Sequence, residues 1–223
     1  MRVVVLGCST ALGGLVAAAL AARGDRPVAL LRAATAGAHG DRLRALGAEA
    51  VLMEDGPRAA AALPAALRGA DALVLAAGTG GPGTAAGRSP AARFAAAGEQ
   101  AGVRRYLMVS NWYGADGQPW TTDGKDAYVA GKTAAEADVR TRDLDWTILR
   151  TGRLTDAPAG GGVRLARATG PLPPPGEIGR ADVAAVVVAL LERPAAIGRI
   201  CELTAGPVPL DRALDDVFGT ADG

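Results

Sequence analysis

The sequence predicts an α/β fold built on a doubly wound parallel sheet, and two observations carry that prediction. Short β-branched apolar runs alternate with alanine-rich segments of strong helix formers along most of the chain. The first of these runs passes straight into a glycine-containing turn, a helix and a second strand, which is the start of a right-handed crossover. A chain of 223 residues suits one such domain, 1–223, with a single substantial core.

Each element has a local reason. Arg2-Val3-Val4-Val5-Leu6 is too short for a buried helix and reads as a central strand covered on both faces. The chain turns over 7–14, continues as a helix over 15–23, breaks at Arg23-Gly24-Asp25 and re-enters the sheet at 28–31, where Arg32 closes the strand. A helix over 41–47 and a strand over 50–53 follow, ended by Glu54-Asp55-Gly56-Pro57. The helix predicted over 58–68 contains Pro64, which should kink or split it. A fourth strand over 72–78 ends in small residues, and a glycine-rich, mobile loop over 78–87 leads to a helix over 89–101 with Pro90 in its first turn. Then come a strand over 106–110, a loop over 111–125 long enough to suggest function, a helix over 126–140 and a strand over 146–150. The last third loses this rhythm. It reads as a loop over 151–162, a short strand over 163–165 and a stiff connection at Pro171-Leu172-Pro173-Pro174-Pro175. An apolar helix over 180–192, a strand over 199–203 and a closing helix over 210–218 complete the chain.

Composition narrows the function. A net charge of +1 without any basic run argues against a nucleic-acid or anionic-membrane partner. The first residues lack the pattern of a secretory leader, and no apolar stretch is long enough to span a bilayer, so a soluble, cytoplasmic monomer or homodimer acting on a small molecule is expected. Cys8 and Cys201 do not make a disulfide framework, and with His39 alone they cannot build a metal site, so no metal is expected. Cys8 reads as a small filler and His39, between Gly37 and Gly40, as a solvated loop residue.

Strand, glycine turn, helix and strand at this spacing make a dinucleotide-binding βαβ unit, with unpaired amides at the helix N-terminus facing a pyrophosphate. Gly7 serves the sharp turn and Gly13 close helix-to-strand packing, while Thr10 replaces the middle glycine and, with Ser9, brings hydroxyl donors. Arg32, at the end of the second strand, suits a 2′-phosphate better than a free ribose hydroxyl and predicts NADP(H) in preference to NAD(H). Three further residues meet beyond the carboxyl ends of the strands: Ser110, and Tyr128 with Lys132 one helical turn apart. An ammonium near a phenol favours the phenolate, which can exchange a proton with a carbonyl or alcohol while a serine hydroxyl steadies the same oxygen.

These motifs resemble the short-chain dehydrogenase/reductase superfamily, most closely its atypical NAD(P)H-binding members, the NmrA-like and biliverdin-reductase-like group. The resemblance rests on 7–13, Met108-Val109-Ser110, Tyr128-Val129-Ala130-Gly131-Lys132, 144–152 and Ile178-Gly179-Arg180-Ala181-Asp182-Val183-Ala184, and so runs over nearly the whole chain. It implies a Rossmann-type three-layer α/β/α fold and a catalytic set of Ser110, Tyr128 and Lys132, with the lysine also touching the nicotinamide ribose. Gly7, Ser9, Thr10, Leu12 and Gly13 would then line the pyrophosphate and Arg32 the adenosine phosphate. Ala76, Ala77 and Gly78 would pass the ribose, Glu54 or Asp55 would lie near adenine, and Thr151, Gly152 and Arg153 would border the nicotinamide. Thr151 stands where the family usually has proline.

Trp112, Tyr113 and Trp120 crowd one loop of a chain that is 4% aromatic. They either floor a pocket for a flat or apolar substrate or anchor the loop to the body. The substrate region is expected mainly from 111–125 and 151–180. The leading reading is an NADP(H)-dependent reductase or dehydrogenase of a small carbonyl, alcohol or conjugated substrate, in which the cofactor carries the hydride. The alternatives are a redox sensor that binds NADP(H) without turnover, and an epimerase or dehydratase that uses its dinucleotide transiently.

Overall fold

Because successive strand residues face opposite sides of a sheet, an all-apolar strand demands cover on both, and that demand organises the helices of this chain. A computed structural model describes residues 1–32, 36–53, 57–76, 90–111, 126–168 and 176–220; at residues 32, 36, 38, 57–60 and 126–130 it describes the backbone alone. The strands are β1 (Arg2–Leu6), β2 (Arg26–Arg32), β3 (Glu49–Met53), β4 (Ala72–Leu75), β5 (Arg105–Asn111), β6 (Asp145–Thr151), β7 (Arg153–Thr155), β8 (Gly162–Arg167), β9 (Glu177–Gly179), β10 (Arg199–Ala205) and β11 (Val208–Pro209). The helices are α1 (Ala11–Ala22), α2 (Ala36–Ala45), α3 (Pro57–Leu67), α4 (Pro90–Ala101), α5 (Asp126–Arg140), α6 (Arg180–Leu191) and α7 (Leu210–Phe218).

Among the described residues one nine-stranded sheet runs β11-β8-β10-β6-β5-β4-β1-β2-β3, and β7 with β9 forms a separate two-stranded ladder. The seven strands from β3 to β10 in that order pair in parallel. This is the mostly parallel, helix-flanked sheet of a Rossmann-like fold. It departs from the all-parallel expectation at one edge, where β8 pairs antiparallel with both β10 and β11. Val3 and Val5 enter one core with Val16 and Leu20 of α1 and Val183 and Val187 of α6. Val4 enters the other with Leu67 of α3, Phe94 of α4 and Val139 of α5.

Several boundaries differ from the sequence reading. α1 begins at Ala11, not Leu15, because Thr10 caps it. α2 begins at Ala36 and takes in Gly37, His39 and Gly40, so His39 is a half-buried helical residue, not a solvated loop residue. α3 continues through Pro64 as one helix. The N–H that proline lacks forfeits one bond of the ladder, which the packing of Leu63, Ala66 and Leu67 against the core offsets. The segment read as a loop over 151–162 contains β7, whose partner β9 lies more than twenty residues further on.

The C-terminal end of α6 is held by two arginines. Arg105 donates to the carbonyls of Leu190 (2.6 Å), Leu191 (3.3 Å) and Asp145 (2.8 Å) and to Thr147 Oγ1 (2.9 Å). Burial pulls its pKa down to about 10, so it is still a charged donor at neutral pH. Arg23, just past α1, donates to Val188 O (2.7 Å) and pairs with Glu192 (3.0 Å). Arg105→Met should therefore leave several buried carbonyls unpaired, at a cost of about 2–4 kcal/mol in urea denaturation; a loss below about 0.5 kcal/mol would show that water serves them equally well.

Candidate functional site

β1 lies between β4 and β2, so the chain leaves it in opposite directions and a crevice opens beyond the carboxyl ends of β1 and β4. Gly7 ends β1 with φ 110°, a conformation that side-chain-bearing residues rarely adopt. Gly13, in the first turn of α1, approaches it so closely that a Cβ would stand 2.1 Å from Gly7 O and 2.8 Å from Cys8 N. Both sequence-derived roles are visible in this geometry.

Thr10 behaves differently from the expectation of a phosphate-facing hydroxyl. Its backbone is extended (φ −86°, ψ 160°), so no glycine is needed there. Its Oγ1 accepts from the Gly13 N–H (3.0 Å) and shares its one hydrogen between Gly7 O (2.8 Å) and Ala76 O (3.2 Å). The hydroxyl is thus spent on capping α1 and tying it to the ends of β1 and β4. Gly14 N–H bonds to Thr10 O, which leaves the Ala11 and Leu12 amides without a hydrogen-bond partner among the described residues. Those two amides and the helix dipole are what the turn offers an anion. Cys8 is buried beside them, its Sγ 3.6 Å from Val5 O, and desolvation pushes its thiol up to about 12, which makes it inert filler.

A cleft of about 250 Å³ runs from this turn across the sheet, lined by Thr10, Ala11, Leu12 and Ala76 at one end and Val109, Asn111, Lys132, Thr151, Leu154 and Arg180 at the other. Lys132 is 3% exposed and its Nζ donates to Val109 O (2.8 Å). Desolvation pulls its pKa down to about 8, opposed by the charge of Glu136 one turn further along α5. Glu136 is itself buried and bonds to Arg150 (2.7 Å), whose guanidinium lies 3.9 Å from the buried Glu202.

Ser110 is buried next to the cleft-lining Val109 and Asn111; its Oγ has no hydrogen-bond partner among the described residues, and its carbonyl accepts from Thr151 Oγ1 (3.3 Å). Tyr128 occupies the first turn of α5, one helical turn before Lys132, and Arg32 the last position of β2; the side chains of both lie outside the described residues. Glu54, Asp55, Ala77, Gly78, Trp112, Tyr113 and Trp120 lie outside them entirely. Gly152 packs where a Cβ would meet Gly176 O at 2.1 Å. Arg153 turns to the surface and pairs with Glu177, and the arginine in the cleft wall is Arg180. Arg180, Asn111 and Leu154 fall inside the segments expected to supply the substrate region, 111–125 and 151–180, but none was given an individual role. A signal for Arg180 was present: a cation at the first residue of a helix opposes the macrodipole, so something other than helix stability keeps it there. No three His, Cys, Asp or Glu side chains among the described residues are grouped to hold a metal ion.

The fold and the glycine-lined anion site define a dinucleotide-binding protein of Rossmann-like architecture. The chain belongs to the NAD(P)H-binding family, whose model matches residues 7–194, in keeping with the resemblance drawn from its motifs. It is 35% identical over 180 residues to the uncharacterized sugar epimerase YhfK of Bacillus subtilis strain 168, covering 77% of this chain and 80% of that one. A putative NAD-dependent epimerase/dehydratase from Bacillus halodurans superposes with a TM-score of 0.77 at 26% identity, over 97% of this chain and 100% of that chain. ChuY, an anaerobillin reductase from Escherichia coli O157:H7, superposes with a TM-score of 0.74 at 25% identity, over 93% and 98% respectively.

Gly13→Ala should cost about 1–3 kcal/mol by thermal or urea denaturation and weaken NADPH binding, since the Cβ meets rigid backbone. Thr10→Ala should cost about 1 kcal/mol while Thr10→Ser costs little. Equal losses for the two Thr10 variants would show that the hydroxyl is not the cap.

Proposed function

We propose that this protein is an NADP(H)-dependent oxidoreductase acting on a small carbonyl, alcohol or conjugated substrate. The observation that carries the reading is the buried Lys132 ammonium, which lines the cleft one helical turn beyond Tyr128. An ammonium in that place lowers the pKa of a neighbouring phenol, so Tyr128 gives a proton to, or takes one from, the substrate oxygen. Ser110 holds the same oxygen. The Ala11 and Leu12 amides hold the pyrophosphate, Arg32 the 2′-phosphate, and Lys132 the ribose on the nicotinamide side. The nicotinamide supplies or accepts the hydride when bound. Trp112, Tyr113 and Trp120 present flat surface to the substrate. The reductase activity named for ChuY supports the assignment, while the epimerase names of YhfK and the Bacillus halodurans protein support a second reading, transient oxidation without net cofactor use.

NADPH oxidation against a panel of carbonyls, quinones, flavins and tetrapyrroles separates these. The oxidoreductase reading expects net oxidation with at least one, lost by about a hundredfold or more in Tyr128→Phe with NADPH affinity intact. Tight NADPH binding with no turnover, or sugar epimerisation without net oxidation, would overturn it. Because the lysine pKa is lowered to about 8, its charge fades as pH rises through that value, so NADPH affinity should fall over the same range. In Lys132→Met, fluorescence titrations should show weaker binding and a flat profile. Arg32→Ala should erode the preference for NADPH over NADH.

A further inference from the structure

Arg180 and Lys132 both line the cleft, one heading α6 and the other on α5, and no carboxylate is among the described residues that line it. The N-terminal turn already answers the pyrophosphate through its amides. Arg180 follows directly on β9, where Gly179 is in register with Thr155, and it borders the cleft alongside Thr151 and Leu154. Strand β6, which delivers Thr151, lies three strand positions from β1, or about 14 Å. Arg180 thus borders the cleft beside Thr151, at the head of a helix that shares its core with α1.

Its tether is loose. Arg180 pairs with Asp156 at 2.6 Å, but that carboxylate is 86% exposed. A pair of this kind contributes little and gives way to a better-placed anion. The anchor beneath it is firm. Asp182 is buried and accepts from the Gly160 (3.0 Å) and Gly161 (3.0 Å) amides, which binds the segment carrying Asp156 to the first turn of α6. The backbone of Arg180 is thus fixed while its head group is free to exchange Asp156 for a ligand.

We propose that Arg180 is a specificity-determining residue that receives an anionic group at the nicotinamide end of the cleft, so that the substrate is a carbonyl or conjugated compound bearing a carboxylate. The proposal rests on the oxidoreductase reading for the word substrate. The anion subsite itself can be tested without turnover. The same guanidinium chemistry would suit a cofactor phosphate, and the experiment separates the two sources.

The test is calorimetric titration of the NADP⁺-saturated protein with benzoate, phenylpyruvate and the neutral benzamide, alongside direct titration of each protein with NADP⁺. In Arg180→Gln, the carboxylates should bind about tenfold or more weakly, with benzamide and NADP⁺ affinities within about twofold of wild type. Arg180→Lys, which keeps charge but loses the planar fork, should fall between. Asp156→Asn should strengthen carboxylate binding by removing the competitor. Carboxylate affinity unchanged in Arg180→Gln, or no carboxylate binding to wild type at millimolar concentration, would overturn the proposal. So would a tenfold loss of NADP⁺ affinity, which would assign the guanidinium to the cofactor. Failure to oxidise NADPH with any substrate would instead count against the oxidoreductase reading, and leaves these binding results standing.

Discussion

Everything at the functional end of this molecule depends on one steric fact: Gly13 has no side chain. With Gly7 O at 2.1 Å from where a Cβ would lie, α1 can rest against the end of β1 only because nothing separates them. That contact aims the first amides of α1 into the crevice above the β1–β4 junction, and the Thr10 hydroxyl locks the arrangement by bonding to both strand ends at once. An anion-binding helix terminus is common in proteins; here its position is set by backbone against backbone, which tolerates no adjustment by rotamer.

From that fixed point the chemistry is graded along the cleft. Neutral amides face one end, where dipoles would match the proposed pyrophosphate. Charged side chains occupy the other, with Lys132 held down on Val109 O and Arg180 loosely paired at the rim. The charge of the buried Lys132 is favoured by Glu136, which belongs to a Glu136–Arg150–Glu202 chain spread over α5, β6 and β10. An ammonium kept near neutrality is easily biased by what binds beside it. A substrate oxygen, a phenol and a ribose are all groups that would feel that bias.

The fold was legible because its strands are short, apolar and sharply bounded: β1, α5 and α7 have the limits that local pattern predicts. The start of α1 was not, since Gly13 and Gly14 look like turn residues when their packing partner, Gly7 O, is invisible in sequence. The β7–β9 ladder escaped for a related reason. Three-residue strands carry no periodicity, and theirs is a partnership between distant segments. Of the candidate site, spacing was enough to place Gly7 and Gly13 at the turn and Lys132 on the cleft, with Ser110 buried beside it. Arg180 was counted only as part of the 151–180 segment, because its place in the cleft comes from β9 meeting β7, a tertiary event. Arg153 was credited instead because it follows Thr151 and Gly152 in the chain, although the strand turns its side chain outward to Glu177.

The central claim is that the amides of Ala11 and Leu12 hold a dinucleotide phosphate. The most direct measurement is amide hydrogen exchange, residue by residue, with and without NADPH. The account predicts that these two amides are the most strongly protected by the nucleotide in the 7–14 turn. Protection confined to other segments, with Ala11 and Leu12 exchanging at the same rate in both states, would contradict it.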